Sequence, residues 1–82
     1  MAKTFHLTIA KVGENLFDGE AVSTTLPGLS GEFTVLAGHE PYVSELKAGT
    51  ARVKTADGQT RSISVPAGGV AEVSGNQATI IL

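Results

Sequence analysis

The 82-residue chain contains no cysteine and no tryptophan. The lack of thiols excludes a disulfide scaffold and any zinc site built on thiolates. Aromatics are scarce, with three phenylalanines and one tyrosine. Most of the phenylalanines fall on apolar faces, which leaves no stacking platform for single-stranded nucleic acid. A basic excess is missing too: six Lys and Arg against eight Asp and Glu give a formal charge of −2. A nucleic-acid surface needs a basic stripe to neutralise phosphates. Only Arg52, Lys54 and Arg61 approach one, and they read as a solvated strand face. No apolar run nears the ~18 residues of a spanning helix. The opening Met1-Ala2-Lys3-Thr4-Phe5-His6 carries no apolar targeting segment, so the chain is expected to stay where it is made. His6 and His39 lie far apart and lack ligand spacing, so no metal site is expected, and no cofactor either.

What is present is a run of short β patterns. One domain over residues 1–82 is expected from the length. A chain this short buries only ~60–65% of its unfolded surface, which disfavours a deep catalytic cleft. Phe5, Leu7 and Ile9 alternate with His6, Thr8 and Ala10, the period of a half-buried strand. Val12-Gly13-Glu14-Asn15 reads as a turn, Leu16-Phe17 pins the chain back, and Asp18-Gly19 reads as another turn. Residues 20–26 form a second strand rich in β-branched side chains, stopped by Pro27-Gly28. Residues 32–36 form a third, followed by the tight loop Ala37-Gly38-His39-Glu40-Pro41. Tyr42, Val43 and Leu46 resume an apolar pattern. Residues 50–55 and 59–65 flank Ala56-Asp57-Gly58, a hairpin signal. Placing Val53 and Ile63 on one side of that hairpin requires an odd loop or a bulge, and a bulge is expected. Pro66-Ala67-Gly68-Gly69 breaks the chain, and residues 70–73 and 78–82 close a last hairpin around Ser74-Gly75-Asn76. No stretch has helical periodicity. Strands every 8–12 residues are the signature of a sandwich or barrel. The predicted core comprises Phe5, Leu7, Ile9, Phe17, Val22, Leu26, Phe33, Val35, Val43, Leu46, Val53, Ile63, Val65, Val70, Val73 and Ile80.

The residues offer no catalytic constellation. The serines have no nucleophile-elbow context, and Gly68-Gly69 has neither a following lysine nor a helix to make a phosphate loop. Asp18 and Asp57 precede glycines and read as turn formers. The segment from Ser30 to Pro41 is unusual: a strand lies between two loops bearing acidic and imidazole groups. Gly31 and Gly38 permit close approach of the backbone, and Pro41 fixes the exit.

At this point the chain resembles the epsilon subunit of F-type ATP synthases, called delta in mitochondria. The resemblance is carried in order by Phe5-His6-Leu7, Leu16-Phe17-Asp18-Gly19-Glu20-Ala21, Pro27-Gly28 with Gly31-Glu32-Phe33, and Gly38-His39-Glu40-Pro41. It continues through Leu46-Lys47-Ala48-Gly49 and Gly68-Gly69-Val70-Ala71-Glu72-Val73, and so covers essentially the whole chain. It implies an all-β fold, a flattened β-sandwich of about ten strands without the C-terminal helical hairpin. The function implied is that of a non-catalytic central-stalk subunit coupling rotation of the c-ring to the gamma subunit and the catalytic head. Gly31, Glu32, Gly38 and His39 are the c-ring candidates, and Lys11, Tyr42 and Ser44 the gamma candidates. A peripheral place at the cytoplasmic face of the bacterial inner membrane is implied, with no membrane insertion, no nucleic acid and a monomeric state when isolated. Most members continue into two regulatory helices. This sequence stops at Ile80-Ile81-Leu82, so helix-mediated inhibition is not expected from these residues, and some apolar surface is expected where helices would pack.

Besides a small adhesion or other β-sandwich binding module, two rival readings use the same β pattern. A biotinyl or lipoyl carrier domain would present a lysine at a hairpin tip, but Ala56-Asp57-Gly58 has none and Lys47 is the nearest candidate. An OB-type nucleic-acid binder would need the basic groove and exposed aromatics that the composition withholds.

Overall fold

The computed structural model describes residues 3–82. Eight strands follow one another: β1 (Phe5–Lys11), β2 (Glu14–Gly28), β3 (Gly31–Leu36), β4 (Tyr42–Glu45), β5 (Gly49–Thr55), β6 (Thr60–Val65), β7 (Val70–Ser74) and β8 (Gln77–Ile81). The class is the all-β fold predicted, with eight strands rather than about ten. Two of the predicted breaks vanish into one strand. β2 runs unbroken through Asp18-Gly19 and through Pro27-Gly28; the expected turn at Val12-Gly13 is present, and the later one falls at Leu29-Ser30. Gly13 has φ 78°, the left-handed value a two-residue connection needs at its second position. Pro27 keeps its place because its missing N–H is not required between Leu26 and Gly28, and its ring packs beside Gly49.

The sheet order is β4-β7-β8-β1-β2-β5-β6, with β3 paired to β2. Most pairs are antiparallel, but β1 and β8 run parallel at the centre, with Leu7 opposite Ala78 and Ile9 opposite Ile80. The two layers are made by β2. Fifteen residues at ~3.3 Å each would span ~46 Å if straight, yet the longest dimension of the molecule is 35 Å. The strand therefore bends. Its first half pairs with β1, up to Ala21 opposite Phe5. Its second half lies between β3 and β5, with Thr24 opposite both Val35 and Val53. Between Ala21 and Ser23 the register to β5 shifts by one residue at Val22. Because side chains alternate with period two, that extra residue changes which positions face inward. Phe17 and Ala21 are buried before it, Thr24 and Leu26 after it.

One core results from both layers. Phe5, Leu7, Ile9, Ala71, Val73, Ala78 and Ile80 come from one side, Leu26, Val35, Ala51, Val53 and Val65 from the other. Each fully buried large aliphatic side chain contributes ~1.5–3 kcal/mol before entropy is subtracted. The predicted core was right at most positions and wrong at Val43 and Val70, which are 66% and 41% exposed. Val70 is three residues from Val73, and a strand cannot turn both to one face. β7 points Ala71 and Val73 inward, which leaves Val70 and Glu72 outside. Val43 sits opposite Glu72 and shares its outward side. Val22, Phe33 and Ile63 are half-buried. The sequence reading passed over Ala21, Ala51, Ala71 and Ala78, small residues that fill the core where the layers approach.

The β5–β6 hairpin has the odd loop that parity demands. Thr55 and Gln59 close three residues, 56–58, with Gly58 at φ 88°, a three-residue connection of the type that ends in a left-handed residue. Val53 and Ile63 thus share a face, Val53 directly opposite Arg61 and Ile63 opposite Ala51. The β5–β6 ladder carries no register shift, so the predicted bulge is replaced by the loop itself.

Candidate docking surface

Among the described residues there is no enclosed pocket and no group of three or more His, Asp or Glu placed to hold a metal ion. What the fold offers a partner is loops and sheet faces. The segment from Gly31 to Pro41 supplies two loops at opposite ends of β3, ~17 Å apart along the strand.

At the first end, Gly28 and Gly31 face each other across the Leu29-Ser30 turn. A Cβ on Gly28 would lie 2.5 Å from the Gly31 carbonyl oxygen and 2.9 Å from Phe33, so this approach requires glycine. The turn is fastened to the β4–β5 connection. Leu29 N–H donates to Glu45 O (2.9 Å), Lys47 N–H to Pro27 O (2.9 Å), and Leu46 N–H to Gly69 O (2.7 Å). Glu32 projects outward beside Arg52, with 3.4 Å between Oε2 and Nη2. Both side chains are more than half exposed, so the pair orients Glu32 more than it stabilises the fold.

At the second end, His39 N–H donates to Leu36 O (3.1 Å) across a turn in which Gly38 has φ 77°. His39 Nδ1 lies 2.7 Å from Glu40 O. A carbonyl can only accept, so Nδ1 carries the proton of that bond. Tyr42 is packed edge-on against Phe33 with centroids 5.2 Å apart, and its ring lies 6.0 Å from that of His39. The structure therefore brings His39 and Tyr42 together, while Gly31 and Glu32 lie at the other end of β3 from Gly38 and His39. Ser44, two residues along β4, turns its hydroxyl to Glu45 O (2.9 Å). Lys11 is at the β1–β2 turn, 3.5 Å from Glu14, on the side of the molecule where Leu82 N–H meets Ala10 O.

Two surface features have no counterpart in the sequence reading, and a third, exposed apolar surface, was expected there without named residues. Asn76 joins separate segments: its Oδ1 accepts from Gly38 N–H and its Nδ2 donates to Thr4 O, both at 3.0 Å. The only sequence signal was its position in the Ser74-Gly75-Asn76 turn. The second feature is a cross-strand cluster on the outer face of β1 and β2. His6 Nε2 is 2.7 Å from Asp18 Oδ1 and Nδ1 is 3.2 Å from Glu20 Oε2, while Thr8 and Thr4 donate to the same two carboxylates. The hydrogen bond to Asp18, then that to Glu20, raises the His6 pKa above its ordinary value. Asp57 titrates low for a related reason, the hydrogen bond from Thr55 and then the Gln59 N–H. The alternation of His6 with buried neighbours signals its face, but not its partners, because Asp18-Gly19 reads locally as a turn.

The third feature is apolar. Val70 is directly opposite Ile81, and Ile81 opposite Ala10, while Val43 lies nearby opposite Glu72. Ile81 is 52% exposed. The row is bordered by Glu45 and Glu72. The basic trio does not share a face: Arg52 and Lys54 point outward, whereas Arg61 lies 5.6 Å over the Phe17 ring and helps cover it. Lys47 is on the β4–β5 connection and not at a hairpin tip.

Residues 4–82 match the family described as ATP synthase, Delta/Epsilon chain, beta-sandwich domain. The ATP synthase epsilon chain of Delftia acidovorans is 37% identical over 78 residues, which span 95% of this chain and 56% of that one. The chain thus spans little more than half the length of such relatives. The ATP synthase epsilon chain of Chlorobium limicola is 38% identical over 79 residues, 96% of this chain and 89% of that shorter relative. A chain of the Euglena gracilis mitochondrial ATP synthase, solved by cryo-EM as OSCP/F1/c-ring in a rotational state, superposes with a TM-score of 0.88 at 28% identity. That alignment covers 95% of this chain and 49% of the other. By its match over nearly every residue and its likeness to relatives both long and short, this protein belongs to the family of the ATP synthase delta/epsilon chain β-sandwich domain.

Proposed function

We propose that this domain is a non-catalytic part of the rotor of an F-type ATP synthase. It couples rotation of the c-ring to the gamma subunit and the catalytic head during proton-driven ATP synthesis. The observation that supports this most is the superposition, at 28% identity, on a chain of an ATP synthase assembly that includes the c-ring. The shape agrees with the role. A coupling that must not slip needs broad complementary contact, and this chain offers rigid loops and flat sheet faces rather than a cleft.

In this reading Gly31, Glu32, Gly38 and His39 meet the c-ring, and Lys11, Tyr42 and Ser44 meet gamma. Gly31 and Gly38 keep the loop backbones slim, while Glu32 and His39 supply polar groups at a rim, where charge sets association and register more than affinity. The domain sits peripherally on the cytoplasmic side of a bacterial inner membrane, held there by its partners, and is monomeric when isolated. Size-exclusion chromatography with the cognate gamma subunit tests the proposal. Co-elution is expected, and clean separation at micromolar concentrations refutes it.

A further inference from the structure

We infer that Asn76 is the positioning residue for the 37–41 loop, so that His39 meets its partner on a loop already fixed in its docking shape. That a partner exists for the loop rests on the rotor reading above. The anchoring itself rests on geometry alone.

The β7–β8 connection has two residues, Gly75 and Asn76, both at φ 58°, as a type I′ turn requires. Asparagine is one of the few residues with a side chain that tolerates this conformation. The turn aims its carboxamide across the end of the sandwich. Oδ1 accepts from Gly38 N–H and Nδ2 donates to Thr4 O. The chemistry of those partners fixes the orientation of the amide, since an N–H must meet the oxygen and a carbonyl the nitrogen. The main-chain carbonyl of Asn76 also accepts from His6 N–H at 3.2 Å. One residue thus ties the 37–41 loop to the start of β1.

The other polar bonds of the loop are local. His39 N–H to Leu36 O and His39 Nδ1 to Glu40 O shape the loop without fastening it to the sandwich. Tyr42 is anchored on Phe33, but only beyond Pro41. Among the described residues the Asn76 carboxamide is the long-range polar anchor at Gly38. With Nδ1 committed to Glu40 O, His39 Nε2 is the nitrogen left for a partner. A loop ordered in advance loses less freedom on docking, and affinity rises accordingly.

Two variants separate positioning from general stability. Asn76→Gly keeps the turn, since glycine accepts positive φ, and removes both side-chain bonds. Asn76→Asp keeps an acceptor for Gly38 N–H and loses the donor to Thr4 O, from which its second carboxylate oxygen must turn because two acceptors repel. Amide exchange at Gly38 and binding of the full 82-residue chain to a detergent-solubilised cognate gamma–c-ring subcomplex are measured for both. In Asn76→Gly, Gly38 exchange quickens about fivefold and binding weakens about tenfold. Asn76→Asp retains slow exchange and binds within about twofold of the parent chain. Unchanged Gly38 exchange in Asn76→Gly overturns the inference, and so does equal binding by the two variants. Faster exchange without weaker binding sinks the inference alone, whereas failure of the unaltered chain to bind sinks the rotor reading and with it the docking half of this one.

Discussion

Replacing Thr24 by valine should stabilise the fold. Thr24 is fully buried, between Val35 on β3 and Val53 on β5, which are themselves buried. Its Oγ1 has no hydrogen-bond partner. Valine has nearly the same shape, and its second methyl would occupy the place of the hydroxyl. The main-chain bonds of β2 to both neighbours stay intact. A buried hydroxyl without a partner costs ~1–3 kcal/mol of desolvation, and a gain of ~1 kcal/mol is expected once imperfect packing of the methyl is allowed for. In a domain of this size that raises Tm by ~4–8 °C. Urea denaturation should show a higher midpoint with an unchanged slope. Thr24→Ser is the control. It keeps the hydroxyl and removes a methyl from the core, and should lose ~1 kcal/mol or more. If Thr24→Val is neutral or destabilising while Thr24→Ser costs as expected, the hydroxyl does have a partner and the argument from its isolation fails.

Gly28→Ala tests the close approach beneath the Leu29-Ser30 turn. With a carbonyl oxygen at 2.5 Å from the new methyl, the Leu29-Ser30 hairpin must shift, and a loss of ~1–3 kcal/mol is expected; equal melting temperatures would show that the backbone has slack there. His6→Gln tests the outer-face cluster through pH. The folded chain holds the His6 proton more tightly than the unfolded chain, because Asp18 and Glu20 accept from it. Its contribution is therefore full below the ordinary value of 6.5 and is lost as pH rises through the higher folded value. The Tm advantage of the parent chain over His6→Gln should shrink between acidic and alkaline buffer, and a pH-independent difference would contradict the cluster. Glu32→Lys should leave Tm nearly unchanged, since the side chain is 59% exposed, while lowering proton-driven ATP synthesis in a reconstituted complex. Normal synthesis would refute the proposed contact of Glu32 with the c-ring.

The two-layer fold was legible because a period of two needs few residues to declare itself. Phe5, Leu7 and Ile9 announced both a strand and its buried face. The misplaced turns have a common cause, which is that β2 is too long to read as one strand. Asp18-Gly19 and Pro27-Gly28 are turn pairs by local chemistry, and here tertiary pairing overrides them: Gly19 is held opposite Leu7, and Pro27 opposite Glu32. Assigning a turn at Asp18 also hid the contact with His6, a residue twelve positions away. The assignment of Val43 and Val70 to the core counted hydrophobicity and neglected parity.

The two loops that flank β3 were legible in the sequence, but what anchors them was not, and the reason is geometric. Gly38 and His39 are visible as a tight loop from their own neighbours. What holds that loop in place is Asn76, 38 positions later, and such a contact exists only once β7 and β8 have paired and β8 has joined β1 in parallel. The bend in β2 works in the same way at a larger scale. One extra residue, Val22, turns the inward set from Phe17 and Ala21 to Thr24 and Leu26. It thereby sends β3 into the second layer, with a loop at each of its ends. Deleting Val22 would leave Ala21, Thr24 and Leu26 in regular alternation opposite β5, so the buried set would survive while the bend that the extra residue introduces would be lost, disturbing both loops without touching either.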